Sequence, residues 1–194
     1  MPPLLPVSAG CMHLQIHVDS IGLDRTGAVL YYGAVTHHKL YSVRTDQLLR
    51  AAGMAGGEAA DGGDEVGVLL ETAEKPVTDG LSTDPAGNVW LTAFALSALA
   101  VVAPRASGDG PPRVVKVVQS DELLRWPDGL SFGPDGLYVT NSALHLHVHS
   151  AIAGVDLRAR HGPFHILRVP TSALRAVAVA LGQPAETVLP PAGQ

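Results

Sequence analysis

The chain has 194 residues, of which 46% are hydrophobic and 16% charged, so a folded domain with a core is expected and wholesale disorder is excluded. Its formal net charge of −5 and its lack of Lys- or Arg-rich runs argue against nucleic acid or an anionic membrane as the main partner. No apolar stretch approaches the roughly 18 residues of a transmembrane helix. The 21 Gly and 15 Pro residues favour many short strands joined by turns.

The N-terminal segment, residues 1–12, has no basic region ahead of its short, Pro-broken apolar stretch, so no signal sequence is predicted. Cys11 is the single cysteine and cannot form an internal disulfide. Cysteine usage therefore does not indicate the compartment.

A nine-residue motif occurs three times, beginning at Asp19, Asp79 and Asp128. The copies are DSIGLDRTG, DGLSTDPAG and DGLSFGPDG, each with Asp first, an aliphatic residue third and Gly ninth. Each copy is followed by a β-rich run (AVLYYG, NVWLTA and LYVTNS) and then by a third strand beginning near Lys39, Leu99 or Phe164. This pattern predicts a hairpin in which the ninth Gly supplies a positive φ at the turn.

The motifs are 60 and then 49 residues apart, which fits one four-stranded propeller blade per copy. The sequence therefore predicts an all-β chain, a β-propeller of about three blades, covering residues 13–170. The predicted blades are residues 13–75, 76–120 and 121–170.

Two segments interrupt or follow the predicted blades. Residues 51–74 form a Gly-, Ala- and acid-rich insertion, preceded by a short helical piece around Thr45 to Arg50. Residues 171–194 are expected to be a helical or frayed tail, with Thr171 as the helix cap.

With the repeats aligned, the chain resembles the major royal jelly protein/yellow family. The matching runs are HVDSIGLDRTGAVLYYGAVTHHKLYSVRTDQL (His17 to Leu48), EKPVTDGLSTDPAGNVWLT (Glu74 to Thr92) and WPDGLSFGPDGLYVTNSALH (Trp126 to His145). The resemblance implies a six-bladed propeller, usually secreted, with a small-molecule pocket at one end of its central channel. It also implies an extracellular location, although the chain carries no predicted signal peptide.

The chain departs from this family in having about three blades, as in the C-terminal half alone. An open array of three blades leaves two unpaired edges and an uncapped core. Either two chains associate and complete the ring, or the chain is a truncated product, and the early start of the first strand favours truncation.

The motif residues Asp19, Asp79 and Asp128 occupy the same repeat position. The simpler interpretation is structural, with each Asp accepting backbone N–H groups and shaping its turn. The functional interpretation is that equivalent positions converge on the propeller axis, where clustered carboxylates would bind an amine or a divalent metal such as Ca²⁺. Asp79 and Asp128 are the better pair for a metal, and Asn141 would add an amide oxygen.

His145, His147 and His149 alternate, so on a strand all three would face one way and could hold a transition metal. A solvated strand face is the favoured interpretation, and only His145 falls on the family motif. Aromatic residues such as Trp90 and Trp126 are expected to pack between blades.

The leading functional hypothesis is a module that binds a small cationic or aromatic ligand at Asp79, Asp128, Asn141, Asp19 and His145, with no defined catalysis. No cofactor is predicted with certainty, and the candidate is a divalent metal such as Ca²⁺. One alternative is a metal-dependent lactonase-like hydrolase, because Pro127-Asp128-Gly129 is similar to a strand start of the gluconolactonase/senescence-marker propellers. Another is an inactive partial propeller. The expected partners are a small-molecule ligand and a second copy of the chain.

Overall fold

A computed structural model describes residues 16–54, 70–103, 112–142, 144–145 and 164–188. The strands are β1 (Val18–Leu23), β2 (Val29–Ala34), β3 (Lys39–Arg44), β4 (Leu70–Glu74), β5 (Leu81–Thr83), β6 (Val89–Ala93), β7 (Ala98–Ala103), β8 (Arg113–Gln119), β9 (Pro127–Gly133), β10 (Gly136–Asn141) and β11 (Ile166–Pro170). The helices are α1 (Thr45–Ala51) and α2 (Thr171–Ala180), with short 3-10 turns at Phe94–Leu96 and Ala185–Val188. No helix within the described ranges has the length and apolar character needed to cross a membrane.

The strands form three antiparallel sheets, here called blades 1, 2 and 3. Blade 1 has the order β1-β2-β3-β4, blade 2 has β5-β6-β7-β8, and blade 3 has β9-β10-β11. The first strands lie side by side, β1 against β5 and β5 against β9. Up-and-down sheets stacked with neighbouring first strands are consecutive propeller blades, so the predicted all-β partial propeller is confirmed.

Two details of the predicted organisation differ from the structure. Strand β4 lies inside residues 51–74, which composition assigned to an insertion, because it pairs with the free edge of β3 through Lys39–Glu74 and Leu40–Ala73. Thr171 is the first helical residue of α2, and the cap is Pro170, with no side-chain capping hydrogen bond. Helix α1 lies where a short helix was predicted.

The hairpin turns of blades 1 and 2 are shaped by the sixth motif residue. Asp84 Oδ1 accepts the N–H groups of Ala86 and Asn88 at 3.0 and 2.9 Å, and Asp24 Oδ1 accepts that of Val29 at 2.9 Å. The ninth residues Gly27 and Gly87 have φ of 72° and 83°, as the motif predicts.

Blade 3 departs from this turn pattern because its sixth residue is Gly133. Its hairpin is shorter, and the ninth residue, Gly136, already lies in β10 opposite Gly133.

The hydrophobic core is divided between the two blade contacts. Blades 1 and 2 enclose the buried residues Leu40, Ala73, Leu81, Val89, Leu91 and Val102, with Tyr31 packed against them. Blades 2 and 3, together with α2, enclose Trp90, Leu99, Val101, Leu124, Leu137, Val139, Leu174 and Ala178. Trp90 is therefore a core residue, as expected.

A buried polar network joins blade 2 to the segment after α2. Asp84, 1% exposed, accepts hydrogen bonds at Oδ2 from Trp90 Nε1 (2.9 Å) and Asn88 Nδ2 (2.8 Å). The amides of Asn88 and Gln183 bond reciprocally, both at 2.8 Å. Burial raises the pKa of the Asp84 carboxyl, against these hydrogen bonds, which lower it. The carboxylate is thus buried and fully engaged.

Replacing Asp84 by Ala should lower the free energy of unfolding by roughly 2–4 kcal/mol, because it leaves the donors of Trp90 and Asn88 buried without an acceptor. The matched control is Asp24→Ala, at the same motif position in blade 1, which should cost about 1 kcal/mol because its turn is more exposed. Chemical denaturation measures both values. Equal losses for the two variants would show that the network contributes no more than a surface turn.

Candidate functional site

The first motif residues of the three blades lie close together. Asp19 lies in β1 and Asp128 lies in β9. Asp79 lies just before β5, separated from it by Gly80. The charges of Asp128 and Asp19 both act on Asp79 and raise its pKa. The structure therefore brings together the three carboxylates that the repeat predicted to converge.

The backbone that carries Asp79 is fixed by side chains from two blades. Thr92 Oγ1 accepts the N–H groups of Asp79 and Gly80 at 3.0 and 2.9 Å. Ser20 Oγ of blade 1 donates to the Asp79 carbonyl at 2.9 Å. A Cβ at Gly80 would overlap the carbonyl oxygen of Asp128, so glycine permits the close approach of blades 2 and 3.

A buried lysine holds the segment that leads into Asp79. Lys75 is 3% exposed, and its Nζ donates to the carbonyls of Ala34 at 2.9 Å and Pro76 at 3.2 Å. Burial lowers the pKa of Lys75 to about 8. These two hydrogen bonds hold the connection from blade 1 to blade 2 in place.

Trp126 connects the carboxylates to an aromatic stack. Its indole Nε1 donates to Asp79 Oδ2 at 2.5 Å. Its ring lies against Phe94 (centroids 4.0 Å apart, 16° between planes) and His145 (5.5 Å, 19°). These two stacked rings hold the indole with its N–H edge towards Asp79, so Trp126 orients that carboxylate.

The pKa of Asp79 reflects this environment. Burial raises it most, the charges of Asp128 and Asp19 raise it further, and the hydrogen bond from Trp126 acts in the opposite direction. Both neighbouring charges acting on Asp79 in the described part of the chain are negative. These effects make ionisation of Asp79 less favourable than that of an ordinary Asp carboxyl.

A cavity of about 340 Å³ lies beside Asp128. It is lined by Asp128, Thr140, Asn141, Ser142, Phe164, His165 and Ile166. Asn141 is 7% exposed and accepts the backbone N–H of Trp126 at Oδ1, at 2.9 Å. Ser142 also lines the cavity, and its hydroxyl is buried with no hydrogen-bond partner among the described residues.

The remaining predicted site residues have different outcomes. Asn141 adjoins Asp128 in the cavity, as proposed from sequence. The backbone at residues 144–145 is helical, so His145 is not on a strand, and its ring lies on Trp126 instead. His147 and His149 lie outside the described residues. Among the described ranges, no three His, Cys, Asp or Glu side chains are placed to hold a metal ion, so a metal at Asp79 and Asp128 stays a prediction.

Trp126, Phe94 and Ser142 are site residues that the sequence did not identify. Trp126 packs on Phe94 of blade 2, as expected of a residue between blades, and it also donates its indole N–H to Asp79, which the sequence did not predict. A signal was present, since the corresponding residues two places before Asp19 and Asp79 are His17 and Val77. An aromatic residue found in one copy of the repeat, two places before the repeated Asp, indicates a role particular to that blade.

No family model matches the chain, and no curated protein matches it. Among solved structures, a luciferin-regenerating enzyme matches with a TM-score of 0.44 and 15% identity, over 64% of this chain and 37% of that one. The calcium-binding protein regucalcin from Agrobacterium tumefaciens str. C58 matches with a TM-score of 0.49 and 19% identity, over 79% of this chain and 46% of that one. The chain thus spans less than half the length of either, and similarity this remote carries no argument about its chemistry. Neither is described as a royal jelly or yellow protein, so that resemblance stays a prediction.

Asp79 should titrate above 3.8, the ordinary value of an Asp carboxyl, and the change should appear in the fluorescence of Trp126 that its carboxylate contacts. Because the folded pKa is raised, the contribution of Asp79 to stability is complete below its unfolded pKa and is lost as pH rises through the folded pKa. Asp79→Asn should therefore stabilise the fold at neutral pH and should remove the fluorescence transition.

Asp128→Asn should lower the midpoint of that transition, because it removes one neighbouring negative charge. Asp135→Asn, at the hairpin on the opposite end of blade 3, is the matched control and should leave the midpoint unchanged. A wild-type midpoint at or below the ordinary value would contradict the carboxylate cluster.

Proposed function

We propose that this chain is a β-propeller module that binds a small organic cation, an amine with an apolar body, where the first strands of its blades meet. The observation that carries the proposal is Asp79, a half-buried carboxylate with two further carboxylates acting on it. Carboxylates held together repel one another, and a bound cation offsets that repulsion. The proposal includes no catalytic step.

The cavity beside Asp128 supports an amine that carries an apolar group. Its volume of about 340 Å³ lies in the range of small-molecule sites. Phe164 and Ile166 are apolar residues of its lining, and Asp128, Thr140 and Asn141 are polar ones. An ammonium near Asp79 and Asp128 with its body in this cavity would use both features.

Membership of the royal jelly/yellow family is part of the same proposal. Its support is the order of the motifs from His17 to His145 together with the three blades that they form. The proposed ligand class agrees with the small-molecule pocket that the resemblance implies.

A metal-dependent lactonase-like hydrolase is the second candidate, and it rests on the same three carboxylates. Ca²⁺ takes about six to eight oxygen ligands. One oxygen of Asp79 already accepts the Trp126 indole N–H, and the described residues bring no three metal-ligating side chains together. These residues alone do not fit such an ion. A calcium-binding protein and an enzyme among the similar structures agree better with this candidate, but at a likeness too remote to decide it.

Calorimetric titration with benzylamine, and with benzyl alcohol as its neutral counterpart, tests the main proposal. Benzylamine should bind and the alcohol should bind at least about tenfold more weakly, because only the amine meets the carboxylates with a charge. Asp79→Asn and Asp128→Asn should each weaken benzylamine by a similar factor, whereas Asp121→Asn, an exposed carboxylate, should not. Equal binding of amine and alcohol would overturn the proposal.

The second candidate is separated by two further measurements on the same protein. Stoichiometric Ca²⁺ binding that Asp79→Asn abolishes, together with turnover of a sugar lactone in added Ca²⁺, Zn²⁺ or Mn²⁺, would favour the hydrolase. The absence of both metal binding and turnover would remove it.

A further inference from the structure

The two blade contacts within the chain follow one rule. On one blade, the contact is made by the fourth motif residue and the aromatic residue that pairs with it on the second strand. On the next blade, it is made by the third motif residue and the aliphatic residue that pairs with it. These pairs are Gly22 with Tyr31 against Leu81 with Leu91, and Ser82 with Trp90 against Leu130 with Val139. On one blade, a small residue lies beside a large ring, and an aliphatic side chain of the next blade packs against this pair.

The contact between blades 1 and 2 shows how close this fit is. A Cβ at Gly22 would overlap the side chain of Leu81, and Tyr31 packs against the cluster that Leu81 and Leu91 form. The small fourth residue is thus the position on which the aliphatic third residue of the following blade lies.

The remaining face of blade 1 carries the aliphatic half of this pattern. Ser20 and Gly22 face blade 2, so alternation along β1 turns Ile21 and Leu23 to the other side, where they are 58% and 50% exposed. Tyr32 lies opposite Ile21, and its ring stacks on Tyr41 at 5.7 Å. We call Ile21, Leu23, Leu30, Tyr32 and Tyr41 the free face of blade 1.

The remaining face of blade 3 carries the complementary half. Leu137 and Val139 are buried against blade 2, so Tyr138 and Thr140 point the other way. Tyr138 lies opposite Ser131, its small fourth motif residue, and next to Arg168 of β11. We call Ser131, Tyr138, Thr140, Ile166 and Arg168 the free face of blade 3, on which Ile166 is 73% exposed.

We infer that a second copy of this chain covers these faces, with the free face of blade 1 in one copy packed on the free face of blade 3 in the other. Ser131 with Tyr138 repeats the pair Gly22 with Tyr31, and Ile21 with Tyr32 repeats the pair Leu81 with Leu91. The new contact continues an interface that the chain already makes twice. Because the two faces differ, two such contacts close a symmetric ring, and three blades from each copy give six, a common propeller number.

Light scattering of the full chain across a range of concentrations measures the assembly. The expected mass is that of two chains. Ile21→Lys and Ser131→Asp should each raise the dissociation constant by roughly tenfold or more, since each places a charge in a desolvated contact. The control is Val179→Lys, a 63% exposed position on α2 that belongs to neither face, and it should leave the mass unchanged. Circular dichroism verifies that each variant keeps its strands.

The double variant Ile21→Lys/Ser131→Asp identifies which faces meet, because the proposed contact places the new Lys of one copy against the new Asp of the other. It should recover association at low salt and lose it at high salt. A monomeric wild-type chain, an open series of larger assemblies, or a dimer sensitive to Ile21→Lys but not to Ser131→Asp would overturn the inference. The readout is mass, so its failure is independent of ligand binding.

Discussion

The close approach of the first strands is the constraint on which the rest of the structure depends. Gly80 lies against the carbonyl oxygen of Asp128, with no room for a side chain between them. This contact lets blades 2 and 3 begin side by side, and the hydroxyls of Ser20 and Thr92 hold the intervening backbone. The motif aspartates must then share one small region, because each lies within such a first strand or two positions before it. The raised pKa of Asp79 is a consequence of that packing.

The motif divides two tasks between two acidic positions. The sixth residue shapes the turn, and in Asp84 it is buried with every oxygen hydrogen-bonded, so its charge is satisfied within the fold. From sequence, the first residue was interpreted either as shaping a turn or as one of several converging carboxylates. In the structure, the Asp79 carboxylate accepts one indole N–H, and the charges of Asp19 and Asp128 act on it. An Asp that shapes a turn accepts hydrogen bonds from N–H groups of the protein itself, so it needs no ligand. A cluster of like charges, in contrast, is stabilised when a cation binds beside it.

The blades could be predicted from sequence because their signals are local. Alternating apolar residues, a positive-φ glycine at Gly27 and Gly87, and a repeated Asp mark each hairpin within about 20 residues. Strand β4 escaped prediction because it is defined by the β3 edge that it joins, across a low-complexity stretch. Trp126 escaped because its place depends on Asp79 of another blade, and Asn88 because its amide partner, Gln183, is far along the chain. Such contacts between distant segments have no periodic signature.

The proposed site and the proposed interface share residues, and this links their energetics. Thr140 and Ile166 line the cavity beside Asp128 and also lie on the free face of blade 3. A second copy packed on that face would therefore contact the cavity wall and close it on one side. Suppose that a ligand binds the closed cavity more tightly than the open one. By thermodynamic linkage, that ligand must then strengthen the association of the two copies, and association must strengthen ligand binding by the same factor. The proposed ligand binding would then depend on the blade contacts as much as on the carboxylates.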